Sequence, residues 1–358
     1  MKEHVSSNSD DDNSIISERR KKLKQLREYA IAYPNKYFPK NRANVLHDKY
    51  ACKDRVFFET EFVKVSLAGR IMLKRLQGKT SFFTIQDATD RIQLYINDES
   101  LGIEGHVLAR QFDIGDFIYV EGSLFKTKRG ELSVKCLKIV ILAKSLRPLP
   151  DKFHGLQDIE TKVRQRHLDL IANPDTKKTF EMRSKVLSKL REYMEENKFL
   201  EVETPMLHPI PGGATARPFI THHNSLDQEM FLRIAPELYL KRLIVGGFER
   251  VFEINRSFRN EGLSTRHNPE FTMMEFYAAY TDYNWLMNFV EKMLSRIADS
   301  VLGTSKIYFQ EKEIDFKKKF SRLTIQEALE RVLGNEEKAC LYEISSVKRL
   351  LKKYASKD

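Results

Sequence analysis

Five short stretches with apolar residues at every second position lie between residues 61 and 143, and they constrain the fold of this chain more than any other feature. They occupy 63–67, 82–85, 92–96, 116–122 and 132–136. A period of two is typical of half-buried strands, and glycine or aspartate turn signals separate the stretches. We therefore predict a small antiparallel barrel of five strands over residues 61–146.

Barrels of this kind often bind single-stranded nucleic acid through stacking aromatic rings and basic side chains on one face. Phe82, Gln93 and Arg70 are the candidates for such contacts in this barrel. Because Phe82 or Phe83 must also fill the core, a core role for either ring stays open.

The residues before the barrel differ in composition. Residues 1–16 are polar and are predicted to be a disordered tail. Residues 17–60 are predicted to form a helical arm, in which Leu23, Leu26, Ala30 and Tyr33 recur at helical spacing beside a basic face. That basic face suits RNA contact and equally suits an ordinary solvated surface.

Charge is spread unevenly along the 358 residues, which carry a formal net charge of +11. Residues 151–305 hold 21 Lys and Arg against 22 Asp and Glu, so the basic excess lies in the flanking regions. Either a polyanionic partner or solubility explains that excess. No apolar run approaches the roughly 20 residues of a membrane span, and the three cysteines lack metal-site spacing. We expect a cytoplasmic protein without a membrane association.

The second half is predicted to mix helices and strands. A stretch with two prolines and a glycine marks a linker at 147–160, and an α+β domain is predicted over 161–358. Apolar stripes predict helices over about 182–197 and 284–302, and residues 199–207 read as a strand closed by Pro205.

Two strand-like stretches, 249–259 and 269–280, flank a loop centred on Gly262 and predict a hairpin. Alternation places a set of chemically active side chains on one face: Glu253, Asn255, Arg259, Phe271, Met273, Glu275 and Tyr277. An arginine fork suits a phosphate or carboxylate, a glutamate beside a tyrosine suits an ammonium group, and a phenylalanine suits a stacked base. The alternative is an internal ion pair between Arg259 and Glu275.

The stretch FRNEGLSTRHNPEFTMMEF resembles motif 2 of the class II aminoacyl-tRNA synthetases, in the wording typical of lysyl-tRNA synthetases. FLEVETPML resembles motif 1, while IPGGATARPF and RIAPELYLKRL resemble the amino-acid-binding segments. GKTSFFTIQD and ELSVKCLKI are similar to the anticodon-binding barrel. Aspartyl- and asparaginyl-tRNA synthetases share this layout, but the residues of the segments GGATARPF and RHNPEFTMMEF favour a lysyl-tRNA synthetase. The resemblance covers roughly 20–335 and implies an α+β chain, with an N-terminal five-stranded OB-fold barrel before a class II antiparallel sheet with flanking helices.

The resemblance also implies ATP-dependent lysine activation followed by transfer to tRNA(Lys), with site residues at matching positions. Arg259 is expected to be catalytic and to bridge the α-phosphate and the lysine carboxylate. ATP is expected to contact Arg259, Asn260, Glu261, His267, Asn268 and Phe271. Lysine is expected to contact Gly213 and Glu237 at its α-amino group, and Glu275 and Tyr277 at its ε-ammonium. The anticodon is expected to contact Phe82, Gln93, Glu131 and Arg70.

The sequence departs from the family in one respect: nothing after Tyr283 resembles motif 3. We therefore expect the catalytic domain to be truncated before motif 3, the Mg²⁺-binding carboxylates of the family to lie beyond residue 358, and lysine activation by this chain alone to be weak. A homodimer through motif 1 is expected, unless the helix at 182–197 covers only its own sheet. The alternative function is a tRNA-binding and dimerising module without catalytic activity.

Overall fold

The computed structural model describes residues 6–150, 156, 158–262, 264, 266–334, 341 and 343–355. Two compact units divide the chain, Met1–Thr176 and Lys177–Asp358. Within the described residues, no helix combines the length and the apolar character that crossing a membrane requires.

The first unit contains a closed barrel with helices before and after it. Its elements in chain order are α1 (Ser6–Tyr29), α2 (Ala43–Tyr50), α3 (Arg55–Thr60), β1 (Lys64–Gln77), β2 (Thr80–Gln86), β3 (Arg91–Asn97), α4 (Asp98–Leu101), α5 (Ile103–Gln111), β4 (Phe117–Lys126), β5 (Leu132–Ala143), α6 (Ile159–Arg164) and α7 (Arg166–Ala172).

Helix α1 begins earlier than the sequence predicted. Residues 6–16 are helical in the structure, whereas the sequence placed 1–16 in a disordered tail. No glycine or proline occurs between residue 1 and the end of this helix, so nothing in the sequence stops it from extending toward the N-terminus. Residues 1–5 lie outside the described residues.

Two of the four residues predicted to form an apolar stripe on this helix are buried as expected. Leu23 and Leu26 are buried in the barrel-side core. Ala30 and Tyr33 are exposed and lie past the end of the helix. The following Pro34 disfavours helical backbone at the residue before it, which is consistent with the extended chain at this point.

The barrel closes in the order β1-β2-β3-β5-β4. Its strand pairs are antiparallel as predicted, except that β3 and β5 run parallel. The two short helices α4 and α5 stand between β3 and β4, which allows β5 to return beside β3 in the same direction. Phe83 fills the core with no exposed surface, whereas Phe82 is half-buried on the opposite side of its strand. The open question between these two rings is therefore settled in favour of Phe83 as the core residue.

A buried ion cluster joins the end of β5 to the start of β4 and to α1. The Lys144 ammonium donates to Asp116 Oδ2 at 2.7 Å and also bonds Asp113. Lys22 on α1 donates to Asp113 Oδ1 at 2.9 Å. Because Asp116 is fully buried and Lys144 nearly so, each charge in this interior is compensated by its neighbours.

Among its described residues, the second unit contains three small sheets and a layer of helices. Its elements in chain order are α8 (Pro174–Glu196, which starts just before the unit boundary), β6 (Leu200–Glu201), β7 (Leu207–His208), β8 (Ile220–His223), β9 (Gln228–Leu232), α9 (Glu237–Val245), β10 (Arg250–Phe258), β11 (Glu270–Ala278), α10 (Tyr283–Leu302), β12 (Lys306–Phe309), β13 (Lys312–Asp315), α11 (Ile325–Val332) and α12 (Ile344–Ala355).

The boundary between the units falls later than the predicted linker. Helices α6 and α7 group with the first unit, although the sequence placed residues from 161 onward in the second. Their hydrogen bonds are local, since Asn173 Nδ2 donates to Asp169 Oδ1 at 2.6 Å and to the Leu156 carbonyl at 3.3 Å.

The sheet β11-β10-β6 organises the second unit. Helices α8 and α10 confirm the predicted helices, but the strand predicted over 199–207 is reduced to β6 and β7. Phe252, Ile254, Met274, Phe276 and Ala278 face a helix layer that includes Tyr193 of α8 and Phe289 of α10. One sheet face is therefore packed, which leaves the other face of the hairpin for polar chemistry.

Candidate functional site

Strands β10 and β11 form the predicted antiparallel hairpin, whose register sets the geometry of the site. Phe258 is paired with Glu270 at the loop end, and Glu253 is paired with Glu275 in the middle. Because side chains alternate along a strand, Glu253, Glu275 and Tyr277 share the face opposite to the packed one. The alternation predicted from the sequence is confirmed.

Arg259 stands immediately after β10, at the mouth of the hairpin loop. Its backbone N–H donates to the Pro269 carbonyl at 2.9 Å, which holds the two sides of the loop together. Its guanidinium lies over the Phe271 ring, 5.4 Å from the ring centre. Among the described residues no acceptor bonds its buried Nε. A buried donor without a partner is costly, so this position favours an anionic guest.

The first part of the loop is tied to the segment before β8. The Asn260 N–H donates to the Arg217 carbonyl at 2.8 Å, and the Arg217 N–H donates to Glu261 Oε1 at 3.3 Å. The sequence did not single out Arg217, although it lies in the quoted segment IPGGATARPF. Its contacts run through the backbone, and a backbone role leaves no signature in side-chain type.

The rest of the loop is a short turn of polar residues. Ser264 and His267 exchange backbone hydrogen bonds, and the Ser264 hydroxyl lies 2.8 Å from His267 Nδ1. Asn268 Nδ2 donates to the Glu270 carbonyl at 2.8 Å. The residues predicted to hold ATP thus lie in this loop and, for Phe271, at the start of β11. Two other loop residues, Leu263 and Thr265, lie outside the described residues.

Glu275 and Tyr277 form the other end of the face. The Tyr277 hydroxyl donates to Glu275 Oε1 at 2.5 Å. Burial raises the pKa of Glu275; the Tyr277 hydrogen bond opposes this rise, Glu237 and Glu253 add to it, and Lys241 reduces it. Burial and the adjacent Glu275 raise the pKa of Tyr277. A carboxylate in these surroundings gains from a cationic guest.

Gly213 and Glu237 are in close contact beside this end. Gly213 has a φ of +86°, and a Cβ added there would lie 2.9 Å from Glu237 Cβ and 3.3 Å from Ala235 Cβ. Glu237, in the first turn of α9, accepts a hydrogen bond from Lys241 at 2.6 Å. Lys241 also lies 5.9 Å from the centre of the Tyr277 ring. The four residues predicted to bind lysine therefore form two contacting pairs, which Lys241 connects.

The hypothesis of an internal ion pair between Arg259 and Glu275 is wrong. Arg259 lies six positions beyond Glu253, the residue opposite Glu275, which corresponds to about 20 Å along the strand. Within the described ranges, no ion pair joins the two side chains. The Arg259 guanidinium and the Glu275 carboxylate thus belong to opposite ends of the hairpin, and their backbone positions are too far apart for the two side chains to pair directly.

Sequence reasoning missed the partner of Glu253. Arg233 donates to Glu253 Oε1 at 2.8 Å, and each side chain is 1% exposed. The two residues are twenty positions apart, and Arg233 follows β9 whereas Glu253 lies on β10, so no local pattern pairs them. Glu253 was expected to be available in the site, but its carboxylate is buried in the ion pair with Arg233.

A second candidate surface lies on the outer face of the barrel. The rings of Phe82 and Tyr95 are 5.3 Å apart, and those of Tyr95 and Phe125 are 5.6 Å apart. They line a cavity of about 470 Å³ whose walls also carry Arg55, Lys126 and Lys128. Clustered rings beside cations suit unstacked bases and their phosphates.

The other predicted anticodon residues differ in their positions. Gln93 lies on β3, and its Nε2 donates to Ser133 Oγ at 2.9 Å. Glu131 is exposed in the turn before β5. Arg70 does not line the cavity: its guanidinium lies 4.2 Å from the centre of the Phe117 ring and donates to the Gly115 carbonyl at 3.0 Å. The structure therefore does not bring Arg70 together with Phe82.

In the part of the chain that the structure describes, no group of three or more His, Cys, Asp or Glu side chains is arranged to hold a metal ion.

Comparison with known proteins identifies two regions. Residues 158–353 match the family described as tRNA synthetases class II (D, K and N), and residues 65–142 match the OB-fold nucleic acid binding domain. A Lysine--tRNA ligase of Burkholderia vietnamiensis is 58% identical over 321 residues, which cover 90% of this chain and 63% of the relative. A Lysine--tRNA ligase of Burkholderia mallei is 56% identical over 325 residues, covering 91% and 64%. The chain thus spans less than two thirds of the length of these curated relatives.

Proposed function

The chain belongs to the class II tRNA synthetases of the D, K and N group, and on this premise we propose that it acts in the ATP-dependent activation of L-lysine and its transfer to tRNA(Lys). The observation that carries the proposal is the single sheet face with Arg259 at one end and Glu275 with Tyr277 at the other. The identity to relatives named Lysine--tRNA ligase supports lysine as the amino acid.

Lysine is an elongated guest with an anionic and a cationic end, as this face requires. In the proposed complex, the lysine carboxylate lies at Arg259, and the ε-ammonium lies at Glu275 and the Tyr277 hydroxyl. Gly213 and Glu237 hold the α-amino group between them. The raised pKa of Glu275 supports this assignment, because a bound ammonium offsets the cost of a buried carboxylate.

The proposed chemistry relies on positioning and electrostatics. Arg259 bridges the α-phosphate of ATP and the attacking lysine carboxylate, and it stabilises the charge that develops between them. Phe271 stacks on the adenine, while Asn260, Glu261, His267 and Asn268 hold the nucleotide in the loop. The carboxylate nucleophile is already ionised at neutral pH, so no general base is needed.

The barrel is proposed to bind the anticodon of tRNA(Lys). Phe82 stacks on an unpaired base, Gln93 and Glu131 hydrogen-bond to base edges, and Lys126 and Lys128 neutralise phosphates. Arg70 is a weaker candidate, since its guanidinium is already stacked on Phe117. A matched pair of titrations tests this assignment: tRNA(Lys) should bind more tightly than the same tRNA with a substituted anticodon. Equal affinities would remove the anticodon role of the barrel.

A homodimer in the cytoplasm is the proposed state of the protein. Val186 and Leu190 of α8 pack on their own sheet layer, but Met182, Leu200 and Leu207 stay exposed at 37%, 47% and 44%. These apolar side chains near motif 1 suit a two-fold interface. Sedimentation equilibrium of the chain should give twice the monomer mass, and a monomer at micromolar concentration would contradict the proposal.

Lysine recognition is tested most directly by calorimetry. L-lysine should bind to the chain, whereas L-ornithine, which is one methylene shorter, and L-norleucine, which lacks the ammonium, should bind more weakly. Absence of any binding of lysine, combined with normal binding of tRNA(Lys), would favour the alternative of a tRNA-binding module.

A further inference from the structure

Two glutamates lie directly opposite each other on the candidate face. Glu253 of β10 and Glu275 of β11 are register partners, and directly opposite residues on neighbouring strands have Cβ atoms about 4.5–5.5 Å apart. Like charges in such a pair repel each other. If only one of the two carboxylates is to bind an external cation, the other must be neutralised by groups of the protein itself.

The carboxylate of Glu253 is fully engaged by protein groups. Its Oε1 accepts from Arg233 at 2.8 Å and from Asn255 Nδ2 at 3.2 Å, and its Oε2 accepts from the Thr204 hydroxyl at 2.7 Å. The side chain is 1% exposed. Glu253 consequently has no exposed oxygen to offer to a guest.

Arg233 is itself fixed by several neighbours. Its Nε donates to the Arg256 carbonyl at 2.8 Å, and the same nitrogen that bonds Glu253 donates to the Thr204 hydroxyl at 3.0 Å. The Phe258 N–H donates to the Arg233 carbonyl at 2.9 Å. The guanidinium is therefore held from β10 and from the segment before β7, and its orientation is determined by the fold.

We propose that Arg233 is a positioning residue that holds the Glu253 carboxylate in a buried ion pair. Glu275 is then the one carboxylate of the two that receives the cationic end of the guest. The inference deepens the proposed function and rests on lysine being that guest. Its mechanism is charge compensation: the cation of Arg233 offsets the negative charge of Glu253 on the strand opposite Glu275.

The mechanism can be measured through the pKa of Glu275, which depends on the charged and polar groups that face it. Glu253 faces it from β10, the Tyr277 hydroxyl from its own strand, and Glu237 and Lys241 from α9. Replacing Glu253 by glutamine keeps its shape and removes one negative charge, so the cation of Arg233 is no longer cancelled. The field at Glu275 then becomes more positive, which favours its ionised form.

Carboxyl-carbon NMR titration of Glu275 tests the proposal without any ligand. The signal is assigned by its loss in Glu275→Gln. In Glu253→Gln, the pKa of Glu275 should fall by about 0.5–1 unit. In the double variant Glu253→Gln with Arg233→Met, both charges are gone and the pKa of Glu275 should rise again toward the wild-type value.

The double variant also separates positioning from structural damage. Removing Arg233 alone would leave a buried carboxylate unpaired and destabilise the fold, whereas replacing both members of a buried pair is often tolerated. Glu270→Gln is the matched control, because it breaks the exposed Arg256–Glu270 pair of the same hairpin and should leave Glu275 unchanged. An unchanged pKa in Glu253→Gln, or a shift that the double variant fails to reverse, would overturn the proposal.

Lysine affinity provides the second readout, measured for each variant at a pH where its own NMR titration shows Glu275 to be ionised. The uncancelled Arg233 of Glu253→Gln should weaken lysine binding about threefold to tenfold, and the double variant should restore it. If lysine fails to bind the wild-type chain while the NMR pattern holds, the proposed function fails and the charge-cancelling role of Arg233 stands. If lysine binds and the pKa pattern is absent, the reverse conclusion follows.

Discussion

The guanidinium of Arg259 lies 5.4 Å from the centre of the Phe271 ring, and its buried Nε has no hydrogen-bond acceptor among the described residues. One aromatic ring and the loop anchored at Pro269 thus hold a permanent cation at the end of a strand. An arginine in this state is organised for an anion before the anion arrives, which is the arrangement that electrostatic catalysis requires.

Replacement of Arg259 by alanine should reduce lysine-dependent ATP–pyrophosphate exchange of the complete enzyme by about 10²–10³-fold, because the charge that stabilises the transition state is lost. Affinity for tRNA(Lys) should change by less than about twofold, since Arg259 and the barrel belong to different compact units. Arg256→Ala is the control, as Arg256 is an exposed arginine of the same strand. Equal losses in the two variants would show that Arg259 has no special role.

Replacement of Phe82 by alanine should weaken tRNA(Lys) binding and leave lysine activation unchanged. A stacked base contributes about 1–3 kcal/mol, so tRNA(Lys) affinity should fall roughly fivefold to more than a hundredfold while pyrophosphate exchange stays unchanged. Phe38→Ala removes a ring that is 75% exposed and does not line the aromatic cavity. Filter binding with both variants measures the difference, and similar affinities for Phe82→Ala and Phe38→Ala would refute the stacking role.

Glu275 should make lysine binding depend on pH. Its pKa is raised, so as pH falls through that value the carboxylate takes up a proton and lysine affinity should decrease. Glu275→Gln should bind lysine weakly at pH 8 and show little further pH dependence. Calorimetry across pH 5–8 checks this; a pH dependence that persists unchanged in Glu275→Gln would assign it to another group.

The same carboxylate should lower the stability of the ligand-free fold. Because the folded-state pKa of Glu275 lies above the unfolded value, its contribution to stability is present below the unfolded pKa and is lost as pH rises through the folded pKa. Glu275→Gln should therefore raise the melting temperature at pH 7 and have little effect at pH 4. Glu270→Gln, at an exposed position of the same strand, controls for the general effect of losing a charge. A lower melting temperature for Glu275→Gln at pH 7 would contradict this expectation.

Gly213 should be sensitive to the addition of a methyl group. Gly213→Ala forces a Cβ to within 2.9 Å of Glu237 Cβ at a φ of +86°, so Glu237 must move and lysine affinity should fall at least tenfold. Gly247→Ala is matched in backbone strain, with a φ of +106°, but its Cβ would meet no atom within 4 Å. Calorimetry should therefore show normal lysine binding for Gly247→Ala, and equal behaviour of the two variants would exclude the contact with Glu237 as the cause.

Asp113 should stabilise the barrel unit at neutral pH. Although burial opposes it, hydrogen bonds from Lys144 and Lys22 lower the pKa of Asp113, so its stabilisation is present above the unfolded pKa and is lost as pH falls through the folded one. Asp113→Asn should cost about 1–3 kcal/mol at pH 7 and progressively less below pH 4. Urea unfolding against the exposed Asp48→Asn measures the difference, and a penalty that does not shrink in acid would rule out the charge as its source.

Local periodicity was sufficient to predict which face of each hairpin strand is packed, because Phe252 and Phe276 differ from Glu253 and Glu275 by a single position. It also located the five barrel strands. It could not decide between Phe82 and Phe83, since two adjacent rings satisfy the same alternation with opposite phase and only the closed barrel selects the inner one.

Pairings between distant segments were not accessible from the sequence. Arg233 and Glu253 contact each other only because the segment after β9 meets β10, and the parallel β3–β5 pair depends on how α4 and α5 connect β3 to β4. The extension of α1 into residues 6–16 was missed for a different reason, because composition alone favoured disorder in a segment that contains no helix-breaking residue.

The connectivity of the barrel determines the order in which the chain can mature during translation. Strand β1 needs β4 as its second neighbour, and β3 needs β5, so the ring remains open until β5 has left the ribosome. At a translation rate of about 5–20 residues per second, the apolar faces of β1, β2 and β3 stay exposed for several seconds before β4 and β5 are synthesised. A nascent chain stalled before Leu132 should therefore engage holding chaperones, whereas one stalled well beyond Ala143 should already resist proteolysis over the barrel.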